Sequence, residues 1–208
     1  MIRRYFIFPI LSIIVFLIGA CKKESISFND SEIDIITSFK GSIMPLVTIK
    51  SETDSLFLRK LSAPLNIADV KSEYFISLAN SMLLTVTNPE NEGVGIAAPQ
   101  VGVSKQLIAV QRIDKEGEPF EFYVNPKIVS FSGDKKTGGE GCLSVPGMKG
   151  LVDRYQKIVI EYNDIEDFKI KSDTVEGFTA VIFQHEIDHL NGILYIDKAN
   201  NLTDKTEK

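Results

Sequence analysis

The sequence contains few histidines and few cysteines, and it has no excess of positive charge. It has two histidines and two cysteines in 208 residues, and its 23 basic residues are outnumbered by 28 acidic ones, which gives a net charge of −5. With this balance, nucleic acid is not an expected partner. Two cysteines, Cys21 and Cys142, allow one disulfide at most. The 44% of hydrophobic residues and 25% of charged ones are typical of a globular protein with a buried core.

The N-terminus also lacks a hydrophobic run long enough for an ordinary membrane span. The apolar run from Tyr5 to Ile18 is shorter than the ~20 residues that a transmembrane helix needs, and Pro9 interrupts it. Arg3 and Arg4 precede this run, and small residues follow it. We therefore predict a signal peptide over residues 1–21, whose removal lowers the 23 basic residues to 21 against 28 acidic ones.

The end of this signal suggests attachment to a membrane. Leu17 to Cys21 resembles the cleavage box of bacterial lipoproteins, whose cysteine becomes the lipidated first residue of the mature chain. This resemblance predicts a membrane-anchored lipoprotein of the cell envelope. An uncleaved N-terminal anchor is the alternative, and it would also hold the domain at a membrane. If Cys21 is lipidated it cannot form a disulfide, and Cys142 is then free to bind a metal.

The pattern of the remaining chain indicates one domain with two appendages. Residues 22–43 are polar without clear periodicity and are predicted to be a flexible tether, residues 44–198 form the domain, and residues 199–208 form a charged tail. A helix is predicted from Ile67 to about Thr87, where Asn88-Pro89 ends it. Strands are predicted at Gln106–Gln111, Phe120–Val124, Ile128–Phe131, Lys157–Tyr162 and Phe168–Lys171, with a polar loop at Lys135–Gly139.

Both histidines of the chain lie within nine residues, in the stretch Gln184 to Gly192. Because residues i and i+4 of a helix lie on one face about 6 Å apart, His185 and His189 can bind the same divalent cation. Glu186 completes H-E-x-x-H, the signature of helical metal hydrolases, in which the glutamate is the acid/base for a water on the metal. The alternative is that these are ordinary half-buried helix residues.

The helix that carries this motif is predicted to run from about Thr174 to Leu190. Asp173 with Glu176 resembles a capping box, and Asn191-Gly192 is a suitable stop. A stripe of apolar residues shares the face of the histidines and is expected to point to the core: Phe178, Val181 and Ile182.

Two further stretches have an unusual composition. Asn91–Gly102 is a run of small residues around one amide, Gln100, and its glycines would let a ligand or another backbone approach closely. A tight turn before a strand is one alternative; a phosphate loop is another, although G-x-G-x-x-G is missing. Glu140–Pro146 places Cys142 between glycine and apolar residues, where it could also be a buried core thiol.

Three of these stretches together resemble the motifs of one known family. G-V-G-I-A-A-P-Q at Gly93–Gln100, E-G-C-L-S at Glu140–Ser144 and Q-H-E-I-D-H at Gln184–His189 are similar, in order and spacing, to the three motifs of peptide deformylases. The resemblance extends from about Met44 to Asp197. It implies an α+β fold with antiparallel strands around a central metal-binding helix, and a hydrolase that removes the formyl group from N-terminal formyl-methionine.

The resemblance also implies a metal site. Cys142, His185 and His189 would bind one divalent metal, and Glu186 would carry a proton from the activated water to the departing amine. Fe²⁺ is the native metal that the family favours, although two nitrogens and one sulfur would also accept Zn²⁺, Ni²⁺ or Co²⁺.

Further residues are assigned to the reacting peptide by the same resemblance. The Gln100 amide and the Leu143 backbone N–H would stabilise the oxyanion, and each such donor is typically worth ~3 kcal/mol. Gly95, Ile96 and Gly141 would line a groove in which an extended formyl peptide pairs with the backbone as an added strand.

Three charged residues are expected to support the metal ligands. Glu140, Arg154 and Asp188 are candidates, since a ligating imidazole usually donates its other N–H to an acceptor and carboxylates need partners. The alternative for each is a surface ion pair. Lys149 stands where many family members have arginine, which bears on the preference among peptides and not on the reaction.

Two other functions remain open at this point. An H-E-x-x-H metalloprotease would share the helix motif, but it does not account for the Cys142 and Gln100 motifs. A non-catalytic lipoprotein that binds formyl peptides would not need the Glu186 carboxylate. Deformylation of nascent chains belongs in the cytoplasm, so an export signal leaves the natural substrate undefined.

Overall fold

A computed structural model describes residues 25–91 and 93–204 of the protein. The predicted signal peptide, including Cys21, lies outside these residues. The helices are α1 (Asp30–Ser38), α2 (Glu52–Leu58), α3 (Ile67–Val70), α4 (Glu73–Val86) and α5 (Gly177–Leu190). The strands are β1 (Gly95–Ala97), β2 (Leu107–Gln111), β3 (Phe120–Cys142), β4 (Val145–Asn163), β5 (Ile170–Glu176) and β6 (Leu202–Asp204). Short 3-10 helices span Ala98–Val101 and Tyr195–Asp197.

The strands form a single antiparallel sheet beside α5. Their order is β1-β2-β3-β4-β5, and β6 pairs with β4. Helix α5 contacts each of the first five strands, so every strand of the main path can place residues against it. The predicted α+β class, with antiparallel strands around a central helix, is confirmed.

Helix α5 is buried on almost every side. Ten of its residues are buried, including polar ones, which is expected for a helix at the centre of a fold and not for a surface helix. Ile182, Phe183 and Ile187 pack with Ile108 and Ile160 of the sheet in one apolar cluster. Burial of this kind fixes the rotation of α5 and therefore the direction in which its histidines point.

The predicted end of this helix at Leu190 is confirmed, but its predicted start is wrong. Gly192 has a φ of 71°, and a side chain there would collide with the carbonyl group of Arg59, so the chain turns at a position where only glycine fits. Residues 170–176 instead form β5 beside β4, and the helix begins at Gly177. The capping box predicted upstream is absent, because the residue before the helix is extended and its side chain accepts no helix N–H.

Strand β3 is longer than predicted. The two strands expected at Phe120–Val124 and Ile128–Phe131 are parts of it, joined across an irregularity at Asn125, whose φ is 51°. The predicted polar loop at Lys135–Gly139 is wrong, because these residues pair with Leu151–Tyr155 of β4. Their polar composition is compatible with a strand here, since this part of the β3–β4 hairpin is exposed to solvent.

The long helix predicted from Ile67 to Thr87 is two helices. The first ends at Val70, and Ser72 caps the second, because its hydroxyl accepts the backbone N–H of Phe75. The apolar periodicity continues across this break, which is why the sequence pattern alone does not separate α3 from α4.

The predicted tether, residues 22–43, packs on the domain through one side of α1 and the residues just before it. Phe28 and Ile36 are buried in the core, and the Lys105 amine donates a hydrogen bond to the Ser27 carbonyl at 2.6 Å. The flexible-tether prediction is therefore wrong for α1 and the residues just before it. Two buried apolar side chains within a polar stretch are too few to produce a clear pattern.

The predicted charged tail contains one short strand. Its strand β6 pairs with Met148–Gly150 of β4. No helix within the described ranges is both long enough and apolar enough to cross a membrane.

Candidate metal centre

Three donor atoms converge where β3 ends against α5. Helix α5 presents His185 and His189 one turn apart, and β3 ends at Cys142. The three donor atoms lie within 4.8 Å of one another, and Cys142 Sγ lies 3.2 Å from His189 Nε2. Two ligands of one tetrahedral metal are about 3.5 Å apart when the metal–ligand bonds are ~2.0–2.3 Å. The set therefore fits a single divalent ion, and one sulfur with two nitrogens suits Fe²⁺, Zn²⁺, Ni²⁺ or Co²⁺.

The surroundings of Cys142 favour its thiolate, the form that binds metals. Burial alone would raise the pKa of this thiol, but the charge and hydrogen bonds of His189 and His185 lower the pKa well below its usual value. The Gln100 amide donates to Sγ at 3.5 Å, and the Ser144 backbone N–H donates at 3.4 Å. Cys142 takes part in no disulfide within the described residues.

Glu140 holds His185 by the nitrogen that points away from Cys142. The Nδ1 of His185 lies 2.8 Å from Glu140 Oε2, which leaves Nε2 for the metal. Arg154 donates to both oxygens of Glu140, at 2.7 and 3.0 Å. Burial would raise the pKa of Glu140, but the hydrogen bonds from His185 and Arg154 outweigh it and lower the pKa to about 2. A carboxylate fixed in this way orients the imidazole.

Asp188 extends this buried chain of charges. Arg154 Nη1 donates to Asp188 at 2.6 Å, and Lys198 donates to both Asp188 oxygens at 2.7 and 2.6 Å. Glu140, Arg154 and Asp188 are 7%, 3% and 9% exposed, so they are not surface ion pairs. The three residues form one network that ends at the imidazole of His185.

Glu186 lies in the same pocket as the metal ligands and is 4% exposed. Its Oε2 has no hydrogen-bond partner in the described part of the chain, and burial raises its pKa to about 7. Gly95 makes room for this carboxylate, since a Cβ there would lie 2.5 Å from Glu186 Oε1 and 2.8 Å from Ile182 Cγ2. Any larger residue at this position would displace the carboxylate or the strand.

Gln100 is oriented by the strand that precedes it. Its Oε1 accepts the Ala97 N–H at 2.8 Å, so its Nε2 is the end directed at Cys142. Leu143 and Gly141 line the same pocket as Gln100. The two donors assigned to the oxyanion therefore come from different parts of the chain, one just beyond β1 and one just beyond β3.

A pocket of about 280 Å³ opens beside these residues. Of the residues assigned to the substrate, Gly95 and Gly141 line it, whereas the Ile96 side chain is fully buried in the core. Ile96 can therefore meet a substrate only through its backbone. Phe178 is 56% exposed and lines the pocket, so the prediction that it points to the core is wrong. Its spacing of seven residues from His185 does place the two on one helix face.

Tyr195 is a neighbour of the site that the sequence pattern does not reveal. Its ring stacks on that of His185, with centroids 6.1 Å apart and planes at 22°. Burial raises the pKa of its hydroxyl to about 12, and this hydroxyl has no hydrogen-bond partner among the residues described. Tyr195 follows the turn at Gly192, so only the three-dimensional fold brings it back to the metal helix.

Comparison with known proteins identifies the chain. The family model described as polypeptide deformylase matches residues 43–205. A peptide deformylase of Symbiobacterium thermophilum is 51% identical over 124 residues, which cover 60% of this chain and 56% of that protein. A peptide deformylase of Halothermothrix orenii is 42% identical over 157 residues, 74% of this chain and 94% of the relative.

Solved structures agree with these sequence relatives. The Met-Ala-Ser-bound class I type b peptide deformylase of Acinetobacter baumannii has 34% identity and a TM-score of 0.66, over 76% of this chain and 99% of that one. The peptide deformylase of Thermotoga maritima has 28% identity and a TM-score of 0.65, again over 76% and 99% of the two chains. The family and function predicted from the three motifs are thereby confirmed: the chain belongs to the polypeptide deformylase family, metal-dependent hydrolases that remove the formyl group from N-terminal formyl-methionine.

Proposed function

We propose that this deformylase works with Fe²⁺ bound by Cys142, His185 and His189, and that it is held at a membrane of the cell envelope through lipidated Cys21. The observation that carries the assignment of the active site is the Glu186 carboxylate. It is buried in the same pocket as the Cys-His-His set, and one of its oxygens is free of hydrogen bonds among the described residues. Binding a metal or a peptide would not require such a group.

Glu186 moves the proton in this mechanism. Lewis-acid activation of water and of the formyl carbonyl is the chemistry that a divalent ion supplies at such a site when bound. Glu186 accepts the proton that the attacking water loses and delivers it to the nitrogen of the departing amine. One carboxylate can perform both transfers in turn because it is regenerated by the second.

Gln100 and Leu143 stabilise the negative charge that develops on the formyl oxygen. The Gln100 amide is already oriented by Ala97 and does not have to turn when the oxyanion forms. A donor fixed in advance lowers the barrier more than one that must reorganise, and its removal typically costs ~3 kcal/mol. The buried chain from Asp188 through Arg154 and Glu140 keeps His185 in the orientation that ligation needs.

Turnover of formyl-Met-Ala-Ser by protein purified without oxygen, with its metal content counted, tests the active site. We expect Glu186→Gln to keep its metal and to lose turnover by about 10²–10⁴-fold, because its side chain moves the proton and does not ligate. Glu176→Gln, on an exposed carboxylate that pairs with Lys157, is the matched control and should keep full activity. Loss of metal in Glu186→Gln would contradict the assigned role.

The choice of metal is tested by loading the same preparation with Fe²⁺, Zn²⁺, Ni²⁺ or Co²⁺. We expect the Fe²⁺ form to have the highest kcat/KM and the form isolated without oxygen to contain iron. Higher turnover with Zn²⁺, together with zinc in the isolated protein, would contradict the proposal. Cleavage of an unformylated protein substrate would instead favour a metalloprotease, and tight binding of formyl-Met-Ala-Ser without turnover would favour a binding protein.

Membrane attachment is supported by the Leu17–Cys21 box and by the apolar run before it. We expect Cys21→Ser to release the mature domain from membranes into the soluble fraction, because the lipid can no longer be added. Retention of the Cys21→Ser protein on membranes would point to the uncleaved anchor. Release of the unmodified protein without detergent would contradict both forms of attachment.

A further inference from the structure

The pocket lies between two strand edges that are both open in the described ranges 25–91 and 93–204. Strand β1 pairs on one side only, with β2. Strand β3 pairs with β2 over Phe120–Val124, and from Lys127 to Cys142 it pairs only with β4. The other edge of β3, from Cys142 back to Lys127, therefore has backbone N–H and C=O groups that pair with no other described strand. An open edge of this kind is a template for another extended chain.

Two neighbouring glycines on this edge have no role inside the fold. A Cβ on Gly138 or Gly139 would meet no atom within 4 Å, and neither residue has the positive φ that favours glycine at Gly133. Glycine inside a strand weakens it and often marks the place where a second backbone comes close. At Gly95, in contrast, the fold itself explains the glycine, because a side chain would collide with Glu186.

A second observation places a ligand at the end of this edge. Gly139 and Gly141 line the same pocket as Glu186, whose buried Oε2 has no hydrogen-bond partner in the described structure. Phe178 stands 56% exposed in the lining of that pocket. The open edge is therefore continuous with the site that binds the formylated end of the peptide.

We propose that the β3 edge from Gly138 back to Lys135 extends the substrate groove and binds residues four to seven of a formylated polypeptide as an added strand, which continues the first three residues beside Gly141 to Gly139. This inference rests on the proposed function, because the formyl group at Cys142 fixes where the polypeptide starts. Strand β3 runs toward Cys142, so a peptide that leads away from it is antiparallel to β3. The six residue steps from Gly141 to Lys135 span about 20 Å at ~3.4 Å per residue.

Recognition along this edge uses backbone groups and depends little on side chains. The substrate class that fits is therefore a polypeptide with an extended N-terminus of varied sequence, and not a dipeptide or a small formyl amide. Each backbone hydrogen bond to the edge should change kcat/KM by about 3–10-fold.

The test compares formyl-Met-Ala-Ser with a seven-residue peptide that continues it in serine, threonine and valine. We expect kcat/KM to be about tenfold higher for the longer peptide. N-methylation of single residues from four to seven should lower that gain at alternate positions only, because every second amide of a strand faces the edge. A gain without this alternation would overturn strand addition.

Thr137→Pro and Gly138→Pro are the informative variants, and the measured quantity is the ratio of kcat/KM for the two peptide lengths. Strand side chains project from the faces of the sheet, so the edge is weakened only by loss of a backbone donor, and one of two neighbouring residues turns its N–H to the open edge. Proline there removes that donor and no hydrogen bond to β4. We expect the ratio to fall from about 10 toward 1 in one of these two variants, with Phe131→Pro and Ser132→Pro, farther from Cys142 than Lys135, as the matched controls that keep the high ratio. Circular dichroism and urea unfolding would show which variants are folded.

The outcomes separate this inference from the proposed function. A ratio near 1 in the unmodified enzyme, with normal turnover of formyl-Met-Ala-Ser, would overturn the extended groove and leave the deformylase intact. A high ratio that neither Thr137→Pro nor Gly138→Pro lowers would also overturn it. Failure to turn over either peptide with one metal bound would contradict the proposed function itself.

Discussion

Arg154 and Arg112 are equally buried, each 3% exposed, but their partners differ. Arg154 binds Glu140 and Asp188, whose side chains are 6% and 13% exposed. Arg112 binds three carboxylates that are each about a third exposed, at 30–33%: Asp114, Glu121 and Asp173. Water can therefore solvate the acids around Arg112 if the arginine is removed, whereas it has little access to the acids around Arg154.

The two arginines also lead to different parts of the molecule. Arg112 donates to Asp114 at 2.8 and 2.7 Å and to Asp173 of β5 at 2.7 Å, so it ties the end of β2 to a neighbouring turn and to a distant strand. Arg154 leads through Glu140 to a metal ligand. Of these two buried arginines, the one that supports the metal site is Arg154, whose carboxylate partners are themselves buried and in contact with that site.

The largest effect is expected from Arg154→Met. Removal of the arginine leaves the buried Glu140 with His185 as its one remaining partner and Asp188 with Lys198 alone, so the free energy of unfolding should fall by about 3–5 kcal/mol. Affinity for the metal should fall by about 10–100-fold because His185 loses its orienting network. Urea unfolding of the metal-free protein and competition with a chelator measure these two quantities.

Arg112→Met is the matched variant for this comparison. Its unfolding free energy should fall by only about 1–2 kcal/mol, since its acids remain solvated, and its metal affinity should be unchanged. An equal loss of metal affinity in the two variants would contradict this difference, because it would show that the loss follows from lower stability and not from the network behind His185.

The helix motif with His185 and His189 could be read from the sequence because it depends on local spacing, whereas Cys142 as the third ligand and the α+β class followed from the resemblance of three motifs to one family. His185 and His189 are one turn apart in any helix, and Gly192 can end a helix wherever it stands. The order of three short motifs then identified the family. None of these inferences required knowledge of which strands are neighbours.

The charged residues that support the metal ligands could be proposed from the sequence, but their contacts with one another could not be predicted. Arg154 follows Glu140 by 14 positions and precedes Asp188 by 34, and only the β3–β4 pairing and the packing of α5 bring the three together. Tyr195 and the packing of α1 were missed for the same reason. The loop predicted at Lys135–Gly139 failed because its polar residues lie in an exposed strand, where composition resembles that of a loop.

Glu140→Gln changes only the contact between the Glu140 carboxylate and the His185 imidazole. The glutamine keeps the shape but loses the charge that orients the His185 Nδ1–H, so metal affinity should fall by about 10–100-fold while the ligands stay in place. The matched change is Glu121→Gln, which removes a carboxylate from the Arg112 cluster and should leave metal affinity unchanged. Titration of each metal-free variant with Co²⁺, followed by its absorption, reports affinity and geometry together.

Equal affinity of Glu140→Gln and the unmodified protein for Co²⁺ would remove Glu140 from the group of positioning residues. A weaker affinity with an unchanged ligand-field spectrum would mean that the carboxylate strengthens His185 as a ligand without fixing its direction.

A smaller effect is expected from Asp114→Asn, and it depends on pH. The hydrogen bond from Arg112 lowers the pKa of Asp114 below its usual 3.8 in the folded protein. A carboxylate with a depressed pKa contributes stability that is present above its unfolded pKa and is lost as pH falls through its folded pKa. Asp114→Asn should therefore be less stable by about 1 kcal/mol at pH 6, and this difference should shrink below pH 3.8. A difference that stays constant down to pH 3, measured by urea unfolding, would contradict an electrostatic origin.

The smallest effects are expected from the two lysines at the margins of these clusters. Lys198 pairs with Asp188 and Lys115 pairs with Glu121, and their own side chains are similarly exposed, at 39% and 42%. Their partners differ, because Asp188 is 13% exposed and Glu121 is 33% exposed. Lys198→Met should therefore lower the free energy of unfolding by about 1 kcal/mol, and Lys115→Met should lower it by about 0.5 kcal/mol or less.

Urea unfolding at 1 M salt, where the screening length is about 3 Å, tests this difference. The loss of stability in Lys115→Met should vanish there, while part of the loss in Lys198→Met remains, because a buried carboxylate is screened less. If salt removes both costs equally, the burial of the carboxylate is not what distinguishes the two clusters.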